Sequence, residues 1–163
     1  MKIWISNRQR KTALSPVTVR EKTRKILDAL GLAQAELSLT LLGDRAMARL
    51  NRETFGRRGP TNVIAFPVDN PGEAGAGSGS TAPAPGAPRQ DSSQPPPVLG
   101  EVVISIETTQ RQAQENGWPW EELFDFYLIH GILHLVGYDH DTPADEAAMT
   151  ARTWELMKVI SNQ

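Results

Sequence analysis

All three histidines of this chain lie within eleven residues, in the segment HGILHLVGYDH at 130–140. His130 and His134 are four residues apart, so on a helix their imidazoles lie on one face and can bind the same ion. Gly137 is suited to end that helix in a left-handed conformation and to turn His140 back toward the pair. The segment therefore predicts a helix followed by a tight turn, with His130, His134 and His140 as candidate metal ligands.

Three neutral imidazoles with one coordination position left open are typical of a catalytic zinc site, whereas a structural zinc site is normally closed by a fourth protein ligand. The chain has no cysteine, so nitrogen and oxygen atoms must hold any metal. We therefore expect one metal ion of the zinc type as the cofactor, and three histidines accept nickel, copper or cobalt as well as zinc. Asp139, Asp141 or Glu101 could close the site, but the two aspartates are equally well interpreted as a solvated turn.

The histidine spacing matches the zinc-binding arrangement of metzincin proteases. In those proteases a glutamate directly follows the first histidine and acts as the general base, whereas this chain has Gly131 there. A metal held by neutral ligands keeps its full positive charge, which suits attack on an anionic phosphodiester. A metal-dependent nuclease is therefore the leading hypothesis, and a metzincin-like metallopeptidase is an alternative.

A phosphodiester hydrolase also needs a cation that neutralises the charge of the transition state, and arginine is the natural candidate. Arg52, Arg57 and Arg58 lie in the segment 52–60, which we predict to be a basic loop before a strand at 61–66. If that strand lies beside the histidine helix, the loop overhangs the metal. Arg57 and Arg58 are therefore the candidate catalytic residues.

The length of the chain fits one domain, and its charge is unevenly distributed between the two halves of the sequence. The chain has 163 residues and a net charge of −2, but residues 1–60 hold 13 Lys/Arg and 5 Asp/Glu, giving +8, and residues 61–163 hold 4 and 14, giving −10. A basic half could bind a polyanion, although solvated helix faces would explain it equally well. The N-terminus lacks the apolar core of a signal peptide, so we expect a cytoplasmic protein without a membrane partner.

Hydrophobic periodicity and helix-end residues predict about four strands mixed with helices. The predicted strands are 3–6, 36–42, 61–66 and 101–106. The predicted helices are 15–30, 44–51, 108–116, a helix from 120 through the histidines, and 147–160. We expect Asp44 to cap the second helix, and the last helix to face inward with Met149, Trp154, Met157 and Ile160. The histidine helix is apolar on nearly every face, so we expect it to be central. The fold class is α/β (mixed α+β), with a small mixed sheet packed against helices.

Residues 70–97 differ in kind, because 21 of these 28 residues are Gly, Pro, Ala or Ser. Such a composition cannot bury enough apolar surface to fold. Strand-like sequence lies on both sides, so we predict a disordered insertion in a single domain at 1–163 rather than a linker between two domains.

Three segments resemble, in sequence and order, the YbeY family of bacterial rRNA-maturation endoribonucleases. They are LNRETFGRRGPTNVIAFP at 50–67, LGEVVIS at 99–105 and the histidine segment. The resemblance implies a zinc-dependent, single-strand-specific endoribonuclease that acts in 16S rRNA 3′-end maturation and ribosome quality control. It also implies small-subunit rRNA and ribosome-associated proteins as partners. By position, the three histidines match the zinc ligands of the family.

The basic segment departs from the pattern of that family, which has an aromatic residue followed at once by an arginine thought to be catalytic. Here Thr54 and Phe55 occupy those two positions, and Arg58 occupies a position that is acidic in the family. The catalytic arginine cannot be transferred by position, so Arg57 is our substitute. A non-enzymatic ribosome-assembly factor with a structural metal is a further alternative.

Overall fold

A computed structural model describes residues 2–68 and 96–161. The elements in these ranges are β1 (Lys2–Asn7), α1 (Pro16–Ala29), β2 (Glu36–Leu42), α2 (Asp44–Phe55), β3 (Val63–Pro67), β4 (Val98–Ser105), α3 (Ile106–Asn116), α4 (Trp120–Leu135) and α5 (Pro143–Ser161). The strands form one sheet in the order β1-β2-β4-β3, with β3 antiparallel to β4 and the other pairs parallel. The predicted α/β fold with a small mixed sheet is therefore confirmed.

The predicted insertion at 70–97 falls, up to residue 95, outside the described residues. It remains a prediction, as does the single-domain organisation of residues 1–163. The strands on either side of the insertion pair directly, with Val63 opposite Ile104 and Pro67 opposite Gly100. In the described part of the chain, no helix has the length and apolar character that a membrane span needs.

The two faces of the sheet are covered by different helices. Three helices, α1, α4 and α5, share one core with β2 and β4, and α2 packs on the other face, where Met47 meets Ile64 and Val103. The buried side chains of α4 are Leu123, Phe124, Leu128, Ile129, Ile132 and Leu133. Since α4 contacts β3, β4 and the helices α1, α3 and α5, the prediction of a central histidine helix is confirmed.

The start of α2 differs from the prediction, because its cap comes from another part of the chain. Asp44 is the first helical residue, and the cap position is Gly43. The Glu107 side chain of α3 accepts the Asp44 backbone N–H at 2.7 Å, while Asp44 itself accepts a hydrogen bond from Ser105 at 2.9 Å. The prediction that Asp44 caps α2 was therefore wrong, since long-range hydrogen bonds replace the local one.

The end of α2 also differs, because the helix continues one turn beyond the predicted residue 51. It ends at Phe55, and Gly56 follows in the left-handed region at φ 67°. Arg52 is therefore helical, and the predicted basic loop at 52–60 is a loop only after Phe55. Glycine at this position is itself a helix-ending signal.

The last helix begins at Pro143, earlier than predicted, and one of its residues faces the other way. Met149 and Ile160 are buried as predicted, but Trp154 is 44% exposed. Its ring packs at the surface, with centroids 6.0 Å from Trp118 and 5.5 Å from Phe126. The prediction that Trp154 faces inward was wrong, because this aromatic cluster keeps the indole at the surface.

Candidate metal centre

The end of α4 is a turn that brings the third histidine to the first two. Gly137 has φ 105°, and its N–H donates to the His134 carbonyl at 3.2 Å. The Tyr138 N–H donates to the Leu133 carbonyl at 3.0 Å. These two bonds form a Schellman motif, which satisfies the last carbonyls of a helix as the chain reverses. The prediction that Gly137 ends the helix in a left-handed conformation is confirmed.

The three imidazoles converge on one point. The Nε2 atom of His134 lies 3.2 Å from that of His130 and 3.0 Å from that of His140. A neutral imidazole nitrogen carries either one proton or one lone pair, so His134 Nε2 can form a hydrogen bond with only one neighbour. A cation, by contrast, accepts lone pairs from all three nitrogens. The residues present therefore fit a metal ion, and the three histidines could hold one.

Burial favours the neutral form of the two helical histidines, which is the form that binds metals. It is the largest factor that lowers the pKa of His130 to about 4, and the neighbouring His134 and His140 lower it further. Burial also lowers the pKa of His134, and His140 adds to this effect. A hydrogen bond with the Tyr138 backbone acts in the opposite direction. Near neutral pH these ligands are therefore ready to bind without first losing a proton.

None of the three candidate carboxylates belongs to the ligand cluster, which consists of the three histidines among the described residues. Glu101 accepts a hydrogen bond from Thr40 at 2.5 Å, on the sheet face that α2 covers. Asp139 accepts the backbone N–H of Asp141 at 3.0 Å in an exposed turn. Three imidazoles without a carboxylate match the donor set of an open, catalytic zinc site better than that of a closed one.

A pocket of about 330 Å³ adjoins the histidines. It lies between α4 and the edge strand β3, and the end of α2 reaches it around that edge. Its lining residues are Asn51, Phe55, Arg57, Thr61, Val63, Ile64, Ala65, Pro67, His130, Gly131 and His134. Arg57 thus lines the same pocket as two of the histidines, whereas Arg58 is exposed and is not a lining residue.

Asn51 holds the segment that carries Arg57 in place. This side chain is buried, and its amide donates to the Gly59 carbonyl at 3.0 Å. The Arg57 guanidinium lies 5.8 Å from the centroid of the Phe55 ring, within the range of a cation–π contact. The turn after α2 is therefore folded back on the helix, with Arg57 at the pocket.

Sequence reasoning missed Asn51 and Asn62 as positioning residues. Asn62 donates to Gln112 at 3.2 Å, and Tyr127 of α4 donates to the same Gln112 oxygen at 2.5 Å. This chain of hydrogen bonds ties the start of β3 to α3 and α4. An asparagine that contacts residues far along the chain has no local sequence signature. Gly56, by contrast, is a helix-ending signal from which the end of α2 at Phe55 could have been predicted.

Gly131 is buried where α4 crosses the sheet, and there is no room for a side chain. A Cβ atom at this position would lie 2.6 Å from Val102 Cγ1 and 3.2 Å from Val63 Cγ2. Any larger residue, including the glutamate of a metzincin, would therefore displace the helix from the strands. Gly131 is therefore required for the close packing of α4 on the sheet, and it also leaves this position without a general base.

Comparisons with known proteins found a matching family model and similar sequences. The family model described as Endoribonuclease YbeY matches residues 4–161. The proteins described as Endoribonuclease YbeY from Geobacter metallireducens and Geobacter sulfurreducens are each 35% identical to this chain; the alignments cover 100% and 99% of this chain and 98% and 97% of the relatives.

A solved structure has the same fold. The solution structure of TM1509 from Thermotoga maritima is similar with a TM-score of 0.64 at 21% identity, and the match covers 97% of this chain and 88% of the other. The family match spans nearly the whole described fold, including all three converging histidines and the pocket beside them. On these grounds the chain belongs to the Endoribonuclease YbeY family.

Proposed function

We propose that this protein is a metal-dependent endoribonuclease that cleaves single-stranded RNA in the pocket beside the three histidines. The observation that carries the proposal is that Arg57 lines the same pocket as His130 and His134. Membership of the Endoribonuclease YbeY family supports it. On the same basis we propose small-subunit rRNA as the substrate, ribosome-associated proteins as partners and the cytoplasm as the location.

His130, His134 and His140 are the ligands in this proposal, with one Zn²⁺ ion as the cofactor. The ion would supply Lewis acidity toward a phosphodiester and toward water. Burial lowers the pKa of His130 and of His134, which favours the neutral, donor form of these two imidazoles. The half-buried position of His130 and His134 limits the access of bulk solvent to the reacting group.

Arg57 is the residue that we propose to stabilise the charge of the transition state. Its guanidinium is permanently charged and presents several donors to phosphate oxygens. Within the described residues it forms no ion pair, so no carboxylate competes with the substrate for it. Arg58 has the same charge but lies outside the lining of the pocket.

The same geometry gives less support to the two alternative functions. A metallopeptidase of the metzincin type needs a glutamate at position 131, where a Cβ atom would overlap Val102. An assembly factor with a structural metal would normally have a fourth protein ligand, and the ligand cluster in the described residues consists of three histidines.

The first test removes one ligand and follows both metal binding and cleavage. We expect Zn²⁺ to raise the melting temperature of the metal-free wild-type protein, because an ion that binds only the folded state stabilises it. His134→Ala should lose this stabilisation together with the cleavage of a labelled single-stranded RNA. Unchanged cleavage by pure His134→Ala protein would contradict the proposal, and chelator-sensitive peptide hydrolysis without RNA cleavage would favour the peptidase.

The second test compares arginines of equal charge. Arg57→Gln should lower kcat about 10²–10³-fold, as expected for the loss of a group that stabilises transition-state charge. Arg20→Gln makes the same charge change at an exposed position of α1, which contacts β1 at the opposite edge of the sheet from β3, and it should leave the rate unchanged. The role that we assign to Arg57 is wrong if Arg58→Gln lowers kcat as much as Arg57→Gln does. It is also wrong if Arg58→Gln lowers kcat and Arg57→Gln does not.

A further inference from the structure

The outer face of α2 carries a row of three arginines that the proposed reaction does not use. Arg45, Arg49 and Arg52 are all exposed. Their spacing of four and three residues places them within about 60° of one another around the helix and spreads them over about 10 Å along it. We call this row the α2 stripe. It lies on the side of the helix opposite Met47, which is buried against the sheet.

The α2 stripe is not neutralised by nearby acids. From residue 45 to residue 58 the chain has five arginines and one glutamate, a net charge of +4. Asp44 is engaged by Arg111 at 2.7 Å, and among the described residues none of the ion pairs includes an arginine of the stripe or Glu53. The positive charge of this face is therefore available to a polyanion.

Phe55 lies at the end of the α2 stripe, where the helix meets the pocket. Its ring is 50% exposed although Phe is normally a core residue. Phe66 supports the ring with a nearly parallel ring whose centroid lies 6.4 Å away, and the Arg57 guanidinium lies over the Phe55 ring at 5.8 Å from its centroid. Phe55 also lines the pocket together with His130 and His134. An exposed, supported aromatic ring beside cations is the arrangement that proteins use to stack an unpaired base.

We propose that the outer face of α2 is the entry track for single-stranded RNA. Arg45, Arg49 and Arg52 bind successive phosphates, and Phe55 stacks the base next to the phosphate that enters the histidine pocket. The stripe covers about three nucleotides at the spacing of about 3.4 Å of a stacked strand. The inference rests on the proposed function, because it states how the same substrate reaches the same site. It selects single strands, since the bases of a duplex cannot stack on Phe55.

The phosphate contacts are tested by the salt dependence of binding. The probe is a fluorescein-labelled, non-pairing RNA of about twelve nucleotides, within the usual site sizes of single-strand binders. Its 2′-O-methyl phosphorothioate linkages resist cleavage, so the metal-loaded protein can be used. Arg45→Gln/Arg49→Gln/Arg52→Gln should reduce the slope of log K against log salt by about 2, since each of three lost phosphate contacts contributes about 0.7.

The matched control has the same change of charge on another helix. Arg20→Gln/Arg24→Gln/Lys25→Gln removes three cations from α1, which packs on the opposite face of the sheet from α2. The control should keep the wild-type slope. An equal reduction of the slope in both variants would show that net charge, and not a track on α2, binds the RNA, and this result would overturn the proposal.

The stacking contact is tested at Phe55 with two variants. Phe55→Ala should weaken binding about 5–150-fold, the loss that corresponds to one stacked base. Phe55→Leu keeps an apolar side chain against Phe66 but has no ring, so it should weaken binding to a similar extent. Wild-type affinity in Phe55→Leu would show that the ring serves packing only. Thermal denaturation of each variant confirms that it is folded.

Failure of this inference can be told apart from failure of the proposed function. Normal RNA cleavage together with wild-type binding by the α2 variant would overturn the track alone. A wild-type protein that binds the strand with the predicted dependence on α2 but cleaves no RNA would overturn the proposed function and leave the track in place. A wild-type protein that does not bind the strand at all would overturn both.

Discussion

Replacement of Gly131 by alanine tests whether α4 and the sheet are packed as closely as the structure indicates. The new Cβ atom would lie 2.6 Å from Val102 Cγ1, about 1 Å closer than the usual carbon–carbon contact distance. Val102 is fully buried and β-branched, so it cannot rotate away freely. Overpacking of this kind costs about 1–3 kcal/mol. Replacing glycine by alanine within a helix raises the free energy of unfolding by about 1 kcal/mol.

The expected net result for Gly131→Ala is a loss of about 0–2 kcal/mol in the free energy of unfolding. Urea denaturation of the metal-free protein, followed by circular dichroism, measures this loss. Ala148→Gly, at an exposed position of α5, measures the helix-propensity contribution alone in the same protein. The sum of the two losses then gives the cost of overpacking, because the Gly131→Ala loss is already reduced by the helix-propensity gain.

A double-mutant cycle with Val102→Ala isolates the contact itself. That substitution alone should cost about 1–3 kcal/mol, because it removes two buried methyl groups. In the double variant the new methyl group at 131 occupies the space that the valine leaves, so the two losses should fall short of additivity by about 1–3 kcal/mol. Additivity within about 0.5 kcal/mol would refute the reasoning, since it would mean that the two positions do not touch.

Two further predictions concern the sheet and the network at the start of α2. Gly100→Ala should destabilise the fold by at least about 3 kcal/mol in urea denaturation, because its φ is +133° and a Cβ atom would lie 2.1 Å from the Phe66 carbonyl oxygen. Burial acts to raise the pKa of Asp44, but hydrogen bonds from Thr108, Arg111 and Ser105 outweigh it and hold that pKa below its ordinary value. Because the pKa of Asp44 is lower in the folded state, its ionised carboxylate stabilises the fold above the unfolded-state pKa of about 4. This stabilisation is lost as the pH falls through the folded-state pKa. Wild type should therefore lose more stability than Asp44→Asn below about pH 4. Equal acid sensitivity in the two proteins would contradict this assignment.

Local sequence predicted the convergence of the three histidines well because its geometry is local. The four-residue spacing places His130 and His134 on one helix face, and Gly137 ends that helix three residues later. His140 then needs only one turn of chain to meet the pair. The apolar character of α4 on nearly every side also predicted its central position, which depends on composition more than on any particular partner.

Long-range contacts explain the predictions that were wrong. Asp44 has the chemistry of a cap, but Glu107, more than sixty residues away, provides the cap, and Asp44 instead accepts hydrogen bonds from Thr108 and Arg111 of α3. Trp154 was expected in the core because of its spacing, yet Trp118 and Phe126 hold it at the surface. A hydrophobic pattern gives the face of a helix but not the shape of what packs against it.

The sequence by itself determined the candidate ligand set, since the chain has three histidines in one segment, no cysteine and a helix-ending glycine between the second and third histidines. It also determined that a peptidase base is missing at position 131. Only the tertiary structure decided what the metal centre faces, because the end of α2 reaches the pocket around the edge of β3 and Asn51 holds the Arg57 turn there. Spacing along a helix is set by backbone geometry, whereas the meeting of α2, β3 and α4 depends on packing between segments that lie far apart in the chain.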